Sequence, residues 1–322
     1  MSDLIKLFNE LPLPDVESDV GFAAVPVSKG SAHRIGKDMN GCPTLLISIK
    51  ESDSKVIIPN INLKNIKVLY GLECKIAHNQ KIEDGKFTIV TFTGSDTGLY
   101  DSFLRFCEVL LDSIRKYPDR ESIARTIARC VNLFKDISKP PLKDIHGLWS
   151  ELLFIVLARN KVKLLESWHV NPEDRWDFNL GKIRYEIKSS SNRKRQHFFS
   201  HEQLRNVTGA EIIIVSIFAE QAGTGESIED LVNILKNALK DRTDLIEKLY
   251  IICYRTLGNS LDSSFKIKFD SKLAKDNVKA YKLHTIPKIS DENIPTQITE
   301  LKYKIDLEGL KSDNSLLAEF SK

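Results

Sequence analysis

The sequence of 322 residues is short of several features, and each shortage removes a class of protein. Its formal net charge is only +3, from 47 Lys plus Arg against 44 Asp plus Glu, so overall charge does not by itself demand a polyanionic partner. The five cysteines, at 42, 74, 107, 130 and 253, are an odd set with no C-x-x-C spacing. That argues against a disulfide framework or structural zinc and fits a reducing compartment. The longest apolar stretches, around Leu152–Ala158 and Ile212–Ile217, fall well short of the roughly 20 residues a membrane span requires. The start, Met1-Ser2-Asp3 followed by Pro12 and Pro14, lacks the basic segment and apolar run of a secretory signal. A cytoplasmic protein with no membrane partner is expected. Nucleotide motifs are missing too: Gly223-Thr-Gly225 lacks a third glycine, and no phosphate loop ends in Gly-Lys-Ser/Thr. The seven histidines form no H-E-x-x-H, and neither Ser nor Cys carries a local nucleophile signature.

What is present is globular: 42% hydrophobic and 28% charged residues exclude a disordered or collagen-like chain. Strands are expected at Thr44–Ile49, Val56–Ile58, Ile66–Tyr70 and Phe87–Phe92, giving a β-rich domain over 1–95. Two helices, from Asp96 or Thr97 to about Lys116 and over Arg120–Asp136, form a helical connector over 96–141 that ends at the Pro140-Pro141 hinge. Beyond it the pattern predicts a helix at Ile145–Asn160, strands at Lys163–His169, Trp176–Leu180 and Ile183–Ser189, a helix at Ser200–Asn206 and a strand at Glu211–Phe218. Helices at Ser227–Leu239 and Arg242–Leu249 and strands at Tyr250–Tyr254, Phe265–Phe269 and Val278–Leu283 complete the reading. The fold class is α/β, with a core over 142–256 and a C-terminal extension over 257–322 packed on it.

One segment carries chemistry. Trp176, Phe178 and Leu180 alternate with Asp177 and Asn179; after Gly181-Lys182, Ile183, Tyr185 and Ile187 alternate with Arg184, Glu186 and Lys188. Two alternating runs joined by Gly-X predict a two-residue type II′ hairpin. Its register pairs Leu180 with Ile183, Phe178 with Tyr185, and Asp177 with Glu186, the last two with Cβ atoms about 5 Å apart. Lys188 points the same way. Carboxylates that close repel by about 3 kcal/mol at an effective dielectric of about 20. A divalent cation would offset this, and hard oxygen ligands suit Mg²⁺, with Mn²⁺ able to substitute. A neighbouring ammonium could help orient a water, which assembles the parts for metal-assisted phosphodiester hydrolysis. The acid-x-Lys tripeptide alone is uninformative, since it recurs at Asp53/Lys55, Glu73/Lys75, Asp84/Lys86, Asp270/Lys272 and Glu300/Lys302. The bland alternative is a solvated charged hairpin face.

Upstream, the helix from Gly147 to Ala158 is apolar nearly all round except for Glu151. A buried carboxylate needs a cation, a water or a donor; a wet stripe or an arginine pair would also account for it. Downstream, Lys182 to Arg205 holds seven Lys or Arg (182, 184, 188, 193, 194, 195, 205) against two acids (186, 202), so basic charge concentrates beside the hairpin. A phosphate backbone would lie there, contacted by Arg193, Lys194, Arg195, His197 and Gln203, although a charged loop is commonly just solvated.

A helix Glu (151), then Asp177, then Glu186-x-Lys188, then a helix with Gln203, resembles the PD-(D/E)XK nuclease superfamily. Gly147-Leu-Trp-Ser-Glu-Leu-Leu, Trp168, Trp176-Asp-Phe, Tyr185-Glu-Ile-Lys-Ser and His197-x-x-Ser-x-x-Gln-Leu204 resemble more closely the uncharacterised PD-(D/E)XK-motif proteins of bacterial phage-defence gene clusters. The match is strong over about 145–220, and Trp176 stands where the superfamily name has proline. The resemblance implies a restriction-endonuclease-like αβββαβ core, with Asp177 and Glu186 as metal ligands and Glu151 bound to the metal directly or through water. It implies Lys188 as the residue that positions or activates the attacking water. The expected function is a Mg²⁺-dependent DNA endonuclease subunit of a restriction-like defence system, with other subunits as partners and a homodimer where both strands are cut. The alternative is a catalytically silent DNA-binding or scaffold subunit of the same fold. RNA or branched DNA is a further substrate to be separated by experiment.

Overall fold

The computed structural model describes residues 4–14, 21–49, 58–63, 65–78, 81–114, 118–137, 144–171, 174–239, 242–260 and 264–317. The chain divides between Lys139 and Pro140 into two units, each with its own core.

The first unit holds a short helix α1 (Leu4–Asn9), strands β1 (Phe22–Pro26), β2 (Arg34–Asp38), β3 (Pro43–Ser48), β4 (Ile61–Asn62), β5 (Ile66–His78) and β6 (Lys81–Phe92), and helices α2 (Tyr100–Ser113) and α3 (Arg120–Ile137). The sheet runs β1-β2-β3-β6-β5-β4, and β1 also pairs parallel with β5, Phe22 opposite Ile76. Five strands thus close on themselves and leave little open edge. Gly36 is required where β2 crosses β1, because a Cβ there would stand 2.7 Å from the Ala23 carbonyl. The expected strand at Val56–Ile58 lies largely outside the described residues, and β1 and β2 had no expectation at all. The two helices are not a separate connector. They belong to this unit, where Phe92 of β6 meets Phe103 of α2 edge-on at 5.7 Å.

The second unit begins with α4 (Ile145–Leu157), capped by Asp144, whose carboxylate accepts the His146 N–H at 3.3 Å. Where the strand Lys163–His169 was expected, the chain forms a helix, α5 (Lys161–Ser167). Local and distant groups combine to hold it. Asn160 caps its N-terminus through the Lys163 N–H, and Lys248 donates to the Leu165 and Glu166 carbonyls at 2.9 Å each. The first strand of the expected core survives as one antiparallel bridge, Trp168 to Phe178.

Then follow β7 (Phe178–Leu180), β8 (Ile183–Ser190), β9 (Gln196–Ser200), a single 3-10 turn at His201–Leu204 in place of the expected helix, and β10 (Glu211–Phe218). After β11 (Gln221–Ser227) and α6 (Ile228–Leu239), α7 (Thr243–Leu257) runs straight through Tyr250–Tyr254, which had read as a strand. Of the expected strand at Phe265–Phe269 only β12 (Lys268–Phe269) forms; α8 (Ser271–Asn277), β13 (Lys279–Lys282) and β14 (Lys302–Asp306) follow. The central sheet is β13-β10-β8-β7, with β8 and β10 parallel. In the segment expected as a C-terminal extension packed on the core, β13 completes this sheet and β14 pairs with β9.

The faces of β8 separate by period two. Tyr185 turns toward α4, its ring 5.2 Å from Phe154. On the opposite side Ile212 and Ile214 of β10 pack with Phe199, Leu204, Tyr281 and Ile305. Buried between β9 and β10, His197 Nε2 lies 2.8 Å from Ser216 Oγ. Burial and the nearby Lys188 ammonium push its pKa down from 6.5 to about 4. The unfolded chain therefore binds this proton more readily than the folded one. The associated stability is complete above pH 6.5 and lost as the pH falls toward 4, by on the order of 3 kcal/mol. Denaturation midpoints across that range should slope less steeply in His197→Gln; an unchanged slope would exclude this origin.

Candidate functional site

The hairpin forms as the alternation requires: Leu180 opposes Ile183, Asn179 opposes Arg184 and Phe178 opposes Tyr185. Gly181 has φ of 59° while Lys182 is not left-handed, the sign pattern of a type II′ turn. The ladder stops at Phe178, and the Asp177 side chain supplies the next acceptor. Its Oδ2 accepts the N–H of Ile187 at 2.7 Å, between Glu186 and Lys188.

The same carboxylate faces Glu151 of α4 and His169. Its Oδ1 stands 3.7 Å from His169 Nε2, and Glu151 Oε2 stands 3.5 Å from the same nitrogen. The Asp177 carbonyl in turn accepts the backbone N–H of His169 at 2.9 Å, which ties the two segments together beside the carboxylates. Trp168 Nε1 donates to Glu151 Oε2 at 2.8 Å. Glu151, His169 and Asp177 are all buried, and one ligand atom from each lies within 4.8 Å of the others. No residue count or spacing pointed to His169. The signal available was its place next to Trp168, eight residues before Asp177, and it was hidden by reading the preceding segment as a strand.

Glu186 and Lys188 form a second group with Gln203. Lys188 Nζ is 2.8 Å from Glu186 Oε1 and donates to Gln203 Oε1 at 3.1 Å; Gln203 Nε2 donates to Glu186 Oε1 at 2.6 Å. Gln203 is held by a capping box with Ser200, whose backbone N–H and hydroxyl both engage it. Phe199 lies under the ammonium, 4.8 Å from ring centre to Nζ. The Asp177–Ile187 hydrogen bond joins this group to Glu151, His169 and Asp177.

The basic segment divides. Arg193 and Lys194 are exposed, with Arg193 bound to Glu220 at 2.6 Å. Arg195 and His197 are not available to a phosphate backbone, which corrects their expected role. Arg195 is 2% exposed, donates to the Ser216 carbonyl and hydroxyl and to the Asn277 carbonyl, and stacks on Phe218. His197 is buried against Ser216. His201 turns away from Gln203 to meet Asp291 at 2.5 Å.

The donor set fits a divalent cation. Ligand atoms around an ion with bonds of about 2.1 Å stand roughly 3–3.5 Å apart, and the carboxylate–imidazole distances of 3.5 and 3.7 Å are close to that. A parallel β8–β10 pair flanked by α4, with buried acids beside a hairpin and an adjacent Glu-x-Lys, defines a mixed α/β protein. Residues 4–308 match the family described as "Putative PD-(D/E)XK family member (DUF4420)", and the chain belongs to that family. No curated protein and no solved structure matches it. No described helix is long and apolar enough to cross a membrane.

Proposed function

We propose that the protein is a divalent-metal-dependent endonuclease that hydrolyses DNA phosphodiesters as a subunit of a restriction-like anti-phage system. The observation that carries this reading is the adjacency of two groups: a buried carboxylate–imidazole group able to hold an ion, and a Glu186–Lys188 pair linked to it through Ile187. A bound divalent cation would supply Lewis-acid stabilisation of charge developing at the attacked phosphate. Gln203 holds the Lys188 ammonium and the Glu186 carboxylate against each other, so that neither needs to reorganise when a substrate arrives. Lys188 is the group placed to orient the attacking water and to stabilise negative charge beside it. Exposed Arg193 and Lys194 provide phosphate contacts, and cutting both strands would take two such centres, hence a dimer.

A second reading has its own support. Lys188 is fully engaged by Glu186 and Gln203, which is also how a structural network in a silent DNA-binding subunit would hold it. Incubating the full chain with supercoiled plasmid and Mg²⁺ or Mn²⁺ separates the two. The nuclease converts plasmid to nicked or linear forms, and Asp177→Asn, with its fold intact, does not. Retardation of DNA without conversion in either cation would instead establish the silent subunit, and RNA and branched DNA run in parallel define the substrate.

A further inference from the structure

The buried group beside the middle of α4 is not a set of carboxylates alone. His169 Nδ1 lies 2.6 Å from the Asn171 carbonyl oxygen, which can only accept, so Nδ1 carries a proton. Nε2 is then the ring nitrogen that faces Glu151 Oε2 and Asp177 Oδ1. At 3.5 and 3.7 Å, both contacts are longer than the roughly 2.7–2.9 Å of a charge-assisted N–H···O bond. The ring is held by the Asn171 carbonyl behind it, and the residue is anchored by its backbone N–H on the Asp177 carbonyl. Backing a ring nitrogen with a backbone carbonyl is how proteins set the tautomer and aim of a ligating histidine.

Such a donor set is not neutral among cations. Mg²⁺ favours oxygen and gives up water reluctantly, whereas imidazole nitrogen favours first-row transition ions, with affinity rising along the Irving–Williams order. We infer that Glu151, His169 and Asp177 form a nitrogen-bearing site that takes a first-row divalent transition ion in preference to Mg²⁺, and that His169 Nε2 is the selecting ligand. This rests on the metal-dependent reading above and reverses the order of cations that the oxygen-only hairpin suggested.

The test uses the full chain without a histidine tag and Mn²⁺ as the probe. Binding is followed by loss of the free-ion electron paramagnetic resonance signal, with Mg²⁺ as competitor. Wild type should bind Mn²⁺ at least about tenfold more tightly than Mg²⁺. His169→Ala should weaken Mn²⁺ by at least about tenfold while changing Mg²⁺ by less than about twofold, closing the gap. Equal affinity for the two ions in wild type, or an equal loss of both in the variant, overturns the inference. A pulsed measurement on wild type needs no variant: modulation from one histidine nitrogen coupled to bound Mn²⁺ is expected, and its absence overturns the assignment even where His169→Ala does not fold. The two levels fail separately. Nitrogen-coupled Mn²⁺ in a protein that cuts no nucleic acid sinks the nuclease and keeps the ion site; cleavage by a protein whose Mn²⁺ shows no nitrogen does the opposite.

Discussion

Glu151→Gln is expected to raise the melting temperature of the metal-free protein while removing its cleavage activity. The carboxylates of Glu151 and Asp177 offer oxygens within 4.8 Å of each other in a buried setting, a repulsion of about 3 kcal/mol at an effective dielectric of about 20. The amide keeps the shape of the side chain and an oxygen to accept the Trp168 N–H, so the variant deletes the charge and spares this bond. At roughly 2–4 °C per kcal/mol for a unit of this size, relief of most of that repulsion raises the midpoint by about 5–10 °C in the presence of a chelator. Adding Mn²⁺ reverses the ranking, because wild type gains binding energy that the variant has lost. Cleavage falls by at least about a hundredfold, the usual cost of removing one preorganised group that acts on transition-state charge. A fall in the chelator midpoint would mean that the imidazole is already protonated and compensates both acids. The group would then be a structural triad rather than a waiting cation site.

How much of this was legible in the sequence depended on how local each determinant is. The hairpin was legible because strict alternation on both sides of Gly181-Lys182 admits one register, and Phe178–Tyr185 and its neighbours adopt it. The break at Asp177 was not, since it depends on a side chain serving as the acceptor for Ile187. Lys163–His169 carries apolar residues that suit a strand as well as a helix, and the deciding contact, Lys248 on its last carbonyls, is more than 80 residues away. Tyr250–Tyr254 misled for the opposite reason: β-branched and aromatic residues there line the buried side of a helix packed in the second unit. The loop charges looked alike in sequence, yet Arg195 is committed to Ser216 and Asn277 while Lys194 is exposed, a division made by β10 and α8 that no local pattern shows. His169 was missed because a lone histidine has no spacing signature; it becomes a candidate only when Glu151 and Asp177 are seen to converge on it.

Lys188→Met is expected to lose both stability and cleavage, and a second substitution should return only the first. Methionine keeps an unbranched stem against Phe199 but removes the ammonium from Glu186, whose side chain is 5% exposed. Removing one partner of a buried pair generally costs about 3–5 kcal/mol because the other charge is left behind, and the cost here should fall near the lower figure, since Gln203 still donates to Glu186 at 2.6 Å. In Lys188→Met/Glu186→Gln no charge is stranded, and most of the lost stability returns. Chemical denaturation of the four proteins of this cycle gives the coupling directly. Cleavage should follow a different course, down by about 10²–10⁴-fold in Lys188→Met and no better in the double variant, because the reaction uses the ammonium itself and not the fold it supports. If the double variant is no more stable than Lys188→Met, Glu186 carries no stranded charge, and the pairing cannot be what holds this cluster together. If cleavage survives in Lys188→Met, the attacking water is oriented from elsewhere, and Lys188 is a structural counter-ion to Glu186.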